Sequence, residues 1–449
     1  MTTAPAFAAG RAVPWLVVAG VLVAALSLRG PIVAPTPVLI DIQEDLGIGT
    51  ASAGLLTSVP VLMFAALTPV AALVIRRAGP EVALLLTLLG VLAGTFVRAL
   101  PGFGWMLAGS LVIGAAITIG NVVIPVVIRR DVPPARVSTV TAGYAATLNA
   151  GSLITSLGTA PLAAVIGWTW ALVAWASITL AGVILWMLHM RRSRAAADRF
   201  SGLGPRGDAG APGAPDTGNA DGHGPPASTG QIPLRRDPSR DAESLTGPLP
   251  VVPARGVERT MLRRPITWLL MLTFSGQTTA YYALTTWLPT ILGDQLQVDR
   301  TSAGALASIF QGVGILGAFL VPVLTRYFPT IVPAVVICVC WLVLTGGMLV
   351  APAGFVVWAS FGAIAHAGGF VVIFTALVAV ARSDSEAAGM SAFVQGGGYA
   401  IGALGAPVMG YLHEATGDWS VPLALVLGIS IVYCVLLLSS VAGVRRARA

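Results

Sequence analysis

Long apolar segments separated by short polar stretches dominate the sequence. Each is long enough to cross the hydrocarbon of a bilayer as a helix, which takes about 20 residues. Numbered spans 1 to 12 in chain order, they are residues 13–40, 51–75, 81–100, 104–128, 137–164, 168–190, 265–292, 302–325, 331–351, 354–381, 387–412 and 420–442. The pattern predicts an all-α membrane protein with twelve transmembrane helices.

Composition supports this class. Apolar residues make up 56% of the 449 residues and charged residues 10%, which excludes a soluble globular protein of this length. The cysteines Cys338, Cys340 and Cys434 lie in apolar segments and show no metal-ligand spacing. We therefore predict no disulfide framework, no metal and no cofactor.

Charge is distributed unequally between the two sets of loops. Arginines concentrate after spans 2, 4, 8 and 10 and at both termini, whereas the loops after spans 1, 7 and 11 are acidic. By the positive-inside rule, both termini face the cytoplasm, in the inner (plasma) membrane. The same topology explains the net charge of +7, so we predict no nucleic-acid partner.

The sequence divides into two halves. Residues 191–262 are rich in Gly, Pro, Ser and mixed charges, which predicts a disordered cytoplasmic linker between a six-helix half at 1–190 and another at 263–449. Ser52-Ala53-Gly54 at the start of span 2 recurs as Ser302-Ala303-Gly304 at the start of span 8. This repetition indicates an internally duplicated, pseudo-symmetric bundle, an architecture typical of transporters.

Arg29 is the one charge in the apolar run from residue 12 to residue 40. Inserting an arginine at mid-membrane costs about 2.5–3.5 kcal/mol, and its guanidinium does not deprotonate. We predict that it anchors an anionic substrate. The alternative is a structural arginine bound by helix carbonyls, because Pro31 leaves the carbonyl of Ser27 free. Arg98, near the end of span 3, is expected to extend to the membrane interface.

Motifs along most of the chain resemble the major facilitator superfamily and, within it, the cyanate/nitroimidazole transporter branch. The motifs are Ser27-Leu-Arg-Gly-Pro31, Gly54-Leu-Leu-Thr57 with Pro60, Asn121-Val-Val-Ile-Pro125, Gly167-Trp-Thr-Trp170, Tyr281-Tyr-Ala-Leu284 with Trp287-Leu-Pro289, and Gln395-Gly-Gly-Gly-Tyr399. The resemblance implies two six-helix halves, a central cavity lined by spans 1, 4, 7 and 10, and a functional monomer.

Polar side chains within the spans are the candidate substrate contacts, because they lack partners if they face lipid. They are Arg29, Asn121, Gln277, Tyr281, Gln311, His366, Gln395 and Tyr399. The amides and tyrosines have an alternative role as hydrogen bonds between helices. His366 is either a proton-coupling or switchable anion contact, or a neutral histidine bonded to a neighbouring helix.

Backbone features predict where the molecule moves. Gly30 and Pro31 should kink span 1 beside the arginine. Gly396, Gly397 and Gly398 leave span 11 without side-chain bulk, which favours either close helix approach or a hinge.

These observations predict a secondary transporter that moves a small anion or small polar organic solute, cyanate-like, by alternating access. Export of nitroimidazole-like or other drug-like compounds is the alternative substrate hypothesis. An enzyme is disfavoured because the spans hold one histidine and no carboxylate well inside them. A receptor or scaffold acting through the linker would lose function on deletion of residues 200–255, whereas a transporter would not.

Overall fold

A computed structural model describes residues 15–201, 259–329 and 331–448, and these residues are helical with no strand among them. Spans 1 to 6 are Trp15–Val33 with the short helices Thr36–Val38 and Leu39–Leu46, Thr50–Ala78, Pro80–Arg98, Phe103–Asp131, Pro134–Ile166, and Trp168–Ala174 with Ala176–Ser201. Spans 7 to 12 are Pro265–Leu296, Arg300–Tyr327, Ile331–Val350, Phe355–Val380, Asp384–Gly402 with Gly405–Thr416, and Ser420–Arg448. The predicted all-α architecture is confirmed.

Local sequence explains where several helices begin and end. The carboxylate of Asp299 accepts a hydrogen bond from the Ser302 amide at 3.0 Å and caps span 8, and the Ser383 hydroxyl accepts one from the Glu386 amide at 3.1 Å and caps span 11. Gly79 separates spans 2 and 3 with a φ of 82°, a conformation that favours glycine.

The predicted linker overlaps helical residues at both of its ends. Span 6 continues to Ser201, past the expected boundary at residue 190, and a short helix occupies Arg259–Leu262. The rest of the linker lies outside the described residues.

Length and mean hydropathy identify nine membrane-spanning segments among the described residues. Spans 7, 8 and 11 are not among the nine. Each of these three carries a glutamine that the sequence proposes as a substrate contact, namely Gln277, Gln311 and Gln395. The nine segments correspond to the predicted spans 1 to 6, 9, 10 and 12.

The halves are joined at the end of the bundle where the loops after spans 1, 7 and 11 lie, here called the sealed end. Span 2 packs on span 11 through Gly54, where an added Cβ would lie 2.8 Å from the carbonyl of Ala406. Span 8 packs on span 5 through Gly304, where a Cβ would lie 3.2 Å from the carbonyl oxygen of Ser156. The repeated Ser-Ala-Gly motif thus provides the close contact between the halves on both sides.

Polar contacts reinforce the sealed end. The hydroxyls of Thr57 and Thr286 share a hydrogen bond of 2.7 Å between spans 2 and 7. Arg300 forms ion pairs with Asp41 and Glu44 of the other half. The seal therefore does not depend on a single pair of side chains.

Candidate functional site

A cavity of about 230 Å³ lies between the two halves. Spans 1, 2, 4 and 5 line it from one side and spans 7, 8, 10 and 11 from the other, whereas spans 3, 6, 9 and 12 contribute no described lining residue. Seven of the eight proposed contact residues line it, namely Arg29, Asn121, Tyr281, Gln311, His366, Gln395 and Tyr399. The topology therefore brings together side chains from six different spans.

Arg29 is half-buried and reaches the cavity from span 1. Its Nη1 donates to Oδ1 of Asn149 on span 5 at 2.8 Å, and Nδ2 of Asn149 donates back to its own helix at the Ala145 carbonyl. The side-chain partner of the guanidinium is thus an amide and not the freed carbonyl of Ser27. A guanidinium has five N–H donors, so donors remain for a ligand.

Aromatic rings form the opposite wall. The Tyr281 ring stacks on the His366 imidazole with centroids 3.7 Å apart and planes at 10°. Cζ of Arg29 lies 5.6 Å from the centroid of the same tyrosine ring, within the range of a cation–π contact. Phe310 packs next to Tyr281 with a centroid distance of 6.0 Å. The cavity thus combines one fixed positive charge with flat, polarizable surfaces.

Three of the other predicted residues line the cavity with local partners. Oε1 of Gln311 lies 3.5 Å from the Tyr281 hydroxyl, and Nε2 of Gln395 donates to the Ser391 hydroxyl at 2.8 Å. Tyr399 packs edge-on against Phe64 of the other half, with centroids 5.5 Å apart. Tyr399 therefore contacts both halves directly.

Gln277 does not line the cavity. It is 1% exposed, its Nε2 donates to the backbone carbonyl of His366 at 2.8 Å, and its Oε1 accepts from the Tyr433 hydroxyl at 3.3 Å. Gln277 lies four residues before Tyr281, but its amide points between spans 7, 10 and 12. This placement matches the interhelical alternative and does not support substrate contact.

Arg98 is buried, contrary to the expectation that it extends to the membrane interface. It is 3% exposed, and its Nη1 donates to the carbonyl of Pro31 at 2.7 Å. Gly109 of span 4 packs against the Arg98 backbone, which holds the residue inside the bundle. A cation near a helix C-terminus is favourable, and the first helix of span 1 ends at Val33. Arg98 thus fixes the segment that carries Arg29.

The predicted hinge residues occupy different environments. The first helix of span 1 ends two residues after Pro31. Gly30 packs on Thr155 of span 5. Gly397 and Gly398 pack against Met271 and Phe274 of span 7. Gly396 has no such close neighbour. The interruption of span 11 comes later, between Gly402 and Gly405, so the glycine triplet lies inside a continuous helix.

Asn149 and Tyr144 of span 5 line the cavity but are not among the eight proposed contacts, and neither are the rings of Phe64, Phe310 and Phe370. An amide such as Asn149 signals its importance only by lying inside a span. Phenylalanines give no such signal, because they suit lipid and cavity equally well.

Comparisons with known proteins agree with this geometry. The profile of the Major Facilitator Superfamily matches residues 17–389. The chain is 28% identical over 411 residues to the 2-nitroimidazole transporter of Escherichia coli strain K12, with 91% of each chain covered. It is 25% identical over 427 residues to the uncharacterized transporter YycB of Bacillus subtilis strain 168, covering 93% of this chain and 91% of that protein.

Solved structures share the fold. A bacterial homolog of the human lysosomal transporter Spinster, in an inward-facing and unoccupied conformation, aligns with a TM-score of 0.66 at 15% identity, covering 96% of this chain and 98% of that one. Its inward-facing and occupied form aligns with a TM-score of 0.66 at 14% identity, covering 98% of both chains. The chain belongs to the Major Facilitator Superfamily and is a multi-pass membrane transporter.

Proposed function

We propose that this protein is a secondary active transporter of the inner (plasma) membrane, which moves a small anion or small polar organic solute, cyanate-like, by alternating access. The observation that carries the proposal is Arg29, a permanent cation on the cavity wall with an amide as its hydrogen-bond partner. No Asp or Glu among the described residues lines the cavity. An entering anion is thus the natural counterion of this guanidinium.

The size of the cavity supports a small substrate. Pockets for drug-sized ligands occupy about 300–1,000 Å³, and this cavity has a volume of about 230 Å³. A triatomic anion or a single five-membered heterocycle fits such a space, whereas a larger amphiphile requires the halves to separate.

The contacts between the halves support alternating access. The sealed end carries the arginine-poor loops, which the positive-inside rule places outside the cell, so the cavity of this state would open towards the cytoplasm, where both termini lie. The two Spinster-homolog structures are likewise described as inward-facing. Separation at the sealed end, with closure at the other, would expose the same site outward. One chain contains the whole cavity, so a monomer suffices.

A second candidate is transport of a nitroimidazole-like compound. The stacked rings of Tyr281 and His366 suit a flat heterocycle, and nitro oxygens are acceptors for the Arg29 guanidinium. The named activity of the E. coli relative favours the same chemistry.

Uptake into proteoliposomes tests both candidates, using radiolabelled cyanate and 2-nitroimidazole as probes. We expect Arg29→Ala to reduce cyanate uptake at least about tenfold, because a hydrogen bond to a charged group contributes about 1.5–3 kcal/mol. Arg29→Lys should recover poorly, since the planar donor fork is lost. Transport of neutral 2-nitroimidazole should be less sensitive to both changes.

Arg77→Ala is the matched control, because Arg77 is exposed at the end of span 2 and away from the cavity. Normal cyanate uptake by a folded Arg29→Ala variant would contradict the anchoring role. If the wild-type protein takes up neither probe, both substrate classes are wrong.

A further inference from the structure

His366 presents one ring nitrogen without a partner. The residue lines the cavity from span 10, and its Nδ1 is buried with no hydrogen-bond partner among the described residues. Tyr281 stacks on the ring, while Gln277 holds the His366 backbone through its carbonyl. The imidazole is therefore fixed in position from two sides, yet one nitrogen has no neighbour to satisfy it.

The charged and titratable groups around His366 are one cation and several phenols. Span 1 contributes Arg29, span 5 Tyr144, span 7 Tyr281 and Tyr282, and span 11 Tyr399, whereas span 8 contributes Phe310 and Gln311, which do not titrate. Behind span 10, Tyr433 of span 12 reaches only the His366 backbone, through Gln277. The cysteines Cys338, Cys340 and Cys434 of spans 9 and 12 are buried in the core of the half.

Of these groups, His366 is the one whose ordinary titration falls near neutral pH. Tyrosine hydroxyls titrate near pH 10 and arginine stays protonated throughout the physiological range. No carboxylate among the described residues lines the cavity. A proton that enters this site has the imidazole as its acceptor.

Arg29 makes protonation of His366 depend on the ligand. Both groups contact the Tyr281 ring, with the Arg29 Cζ 5.6 Å and the imidazole centroid 3.7 Å from the ring centroid. In an empty cavity, a second positive charge beside the guanidinium is repelled in a poorly solvated space. An anion held by Arg29 cancels this repulsion and attracts the imidazolium. Proton and anion thus favour each other's binding, and linkage makes the effect reciprocal.

We propose that His366 couples the proton to the transported anion, so that the protein is a proton–anion symporter; this rests on the function proposed above. One proton binds an imidazole nitrogen and one anion binds beside Arg29 in the same state. The halves then rearrange, and both are released on the other side. Charge balances, because each cycle moves one positive and one negative charge together. An outside more acidic than the inside drives uptake.

Two transport modes in proteoliposomes separate coupling from recognition, with radiolabelled cyanate as the probe. Exchange of internal for external cyanate at equal pH requires binding and rearrangement but no net proton movement. Accumulation against a gradient requires the proton. For wild-type protein, we expect about tenfold accumulation for each unit of pH difference, the equilibrium value for one proton per monovalent anion.

His366→Gln keeps hydrogen-bonding capacity but does not titrate. We expect it to lose pH-driven accumulation, and the cyanate exchange that it retains should no longer depend on pH. His413→Gln is the matched control, since His413 is half-buried at the sealed end, does not line the cavity, and stacks on Trp419. It should accumulate cyanate like wild type. A His366→Gln variant that still accumulates cyanate in response to pH overturns the proposal.

A second measurement covers the case in which His366→Gln does not fold. A pH-sensitive dye inside wild-type vesicles should report one proton entering for each cyanate. Cyanate uptake without proton entry overturns the coupling but leaves the proposed anion transport intact. If wild-type vesicles neither exchange nor accumulate cyanate at any pH, the proposed anion transport fails instead.

Discussion

The two halves of the molecule repeat one architecture but give the cavity two different walls. The N-terminal half contributes the one cation among the described lining residues, Arg29, together with the amides of Asn121 and Asn149 and the rings of Phe64 and Tyr144. The C-terminal half contributes no charge but most of the rings and two amides, from Tyr281, Tyr282, Phe310, His366, Phe370, Tyr399, Gln311 and Gln395. A ligand that satisfies both walls must contact both halves at once. Recognition by charge and recognition by shape are therefore divided between two bodies that move relative to each other.

The two halves resemble each other in their packing at the sealed end and not in their cavity side chains. Gly54 and Gly304 occupy equivalent positions of the repeat, and each allows its span to approach a helix of the other half. Packing between the halves constrains these positions in the same way, whereas the cavity side chains have diverged. Duplicated structure thus supports a shared motion, and the difference between the walls provides the chemistry.

The strongest way to break the contrast between the walls is to neutralise the charged one. Asn149→Asp changes one amide to a carboxylate of the same shape, 2.8 Å from Nη1 of Arg29. The new carboxylate would pair with Arg29 and compete with any anion. Since close charge pairs are worth about 2–5 kcal/mol, we expect cyanate uptake to fall about 100-fold.

Uptake of 2-nitroimidazole by the same variant tests whether the two walls recognise different substrates. If the ring wall recognises this compound, its uptake should fall much less than that of cyanate. Asn149→Ser, which introduces no charge, is the matched control. Equal loss of both substrates in Asn149→Asp would show that the two walls do not act separately.

Adding one methyl group at Gly54 should disturb the close packing between the halves at the sealed end. In Gly54→Ala, the Cβ would lie 2.8 Å from backbone atoms of Ala406, which cannot rotate away. Overpacking costs about 1–3 kcal/mol, so we expect opening of the sealed end to increase about tenfold. The opening is measured as the rate at which a membrane-impermeant thiol reagent, added only on the side of the sealed end, labels a cysteine placed at Thr286 in a variant without the three native cysteines.

Gly346→Ala controls for the added methyl group, because no atom lies within 4 Å of the new Cβ in span 9. Its labelling rate should equal that of the parent protein. The role of Gly54 in the seal would be refuted by a labelling rate unchanged in Gly54→Ala.

A substitution in the aromatic wall should weaken 2-nitroimidazole more than cyanate, the reverse of the effect expected for Asn149→Asp. Tyr281→Leu removes the ring that stacks on His366 at 3.7 Å. Aromatic pairs contribute about 0.5–1.5 kcal/mol beyond their buried area, so the half-saturating concentration of 2-nitroimidazole should rise about fivefold. That of cyanate should change less than about twofold.

Tyr281→Phe keeps the ring and removes a hydroxyl whose nearest partner, Gln311, is 3.5 Å away. It should behave like wild type for both compounds. If Tyr281→Leu weakens cyanate as much as 2-nitroimidazole, the ring supports the site as a whole and does not select flat heterocycles.

The sequence predicted the fold and seven polar residues of the cavity wall for one physical reason: charged and polar groups do not face lipid. This rule correctly located Arg29 and His366 on the cavity. It failed for the direction of a side chain, since an amide or an arginine avoids lipid equally well between helices. Gln277 and Arg98 each donate a hydrogen bond to a backbone carbonyl there, and no pattern in one sequence distinguishes such a partner from a ligand. Nothing in the sequence distinguished the phenylalanines of the wall from those that face lipid.

Gln277 and Gln395 allow the smallest effect to be measured with a matched pair. Gln277→Leu removes hydrogen bonds to His366 and Tyr433, while Gln395→Leu changes a residue that lines the cavity. Hydrogen bonds between transmembrane helices contribute about 0.6 kcal/mol on average. We expect Gln277→Leu to lower the melting temperature slightly and to leave the half-saturating cyanate concentration within about twofold of wild type.

The paired variant should show the reverse, an altered half-saturating concentration with an unchanged melting temperature. Among the described residues, the hydrogen-bond partner of Gln395 is Ser391 of its own helix. If Gln277→Leu weakens cyanate binding more than Gln395→Leu, Gln277 contributes to the site through the His366 backbone that it holds. The binding site would then include residues one layer behind the aromatic wall. The helix contacts that position the rings would contribute to recognition together with the rings themselves.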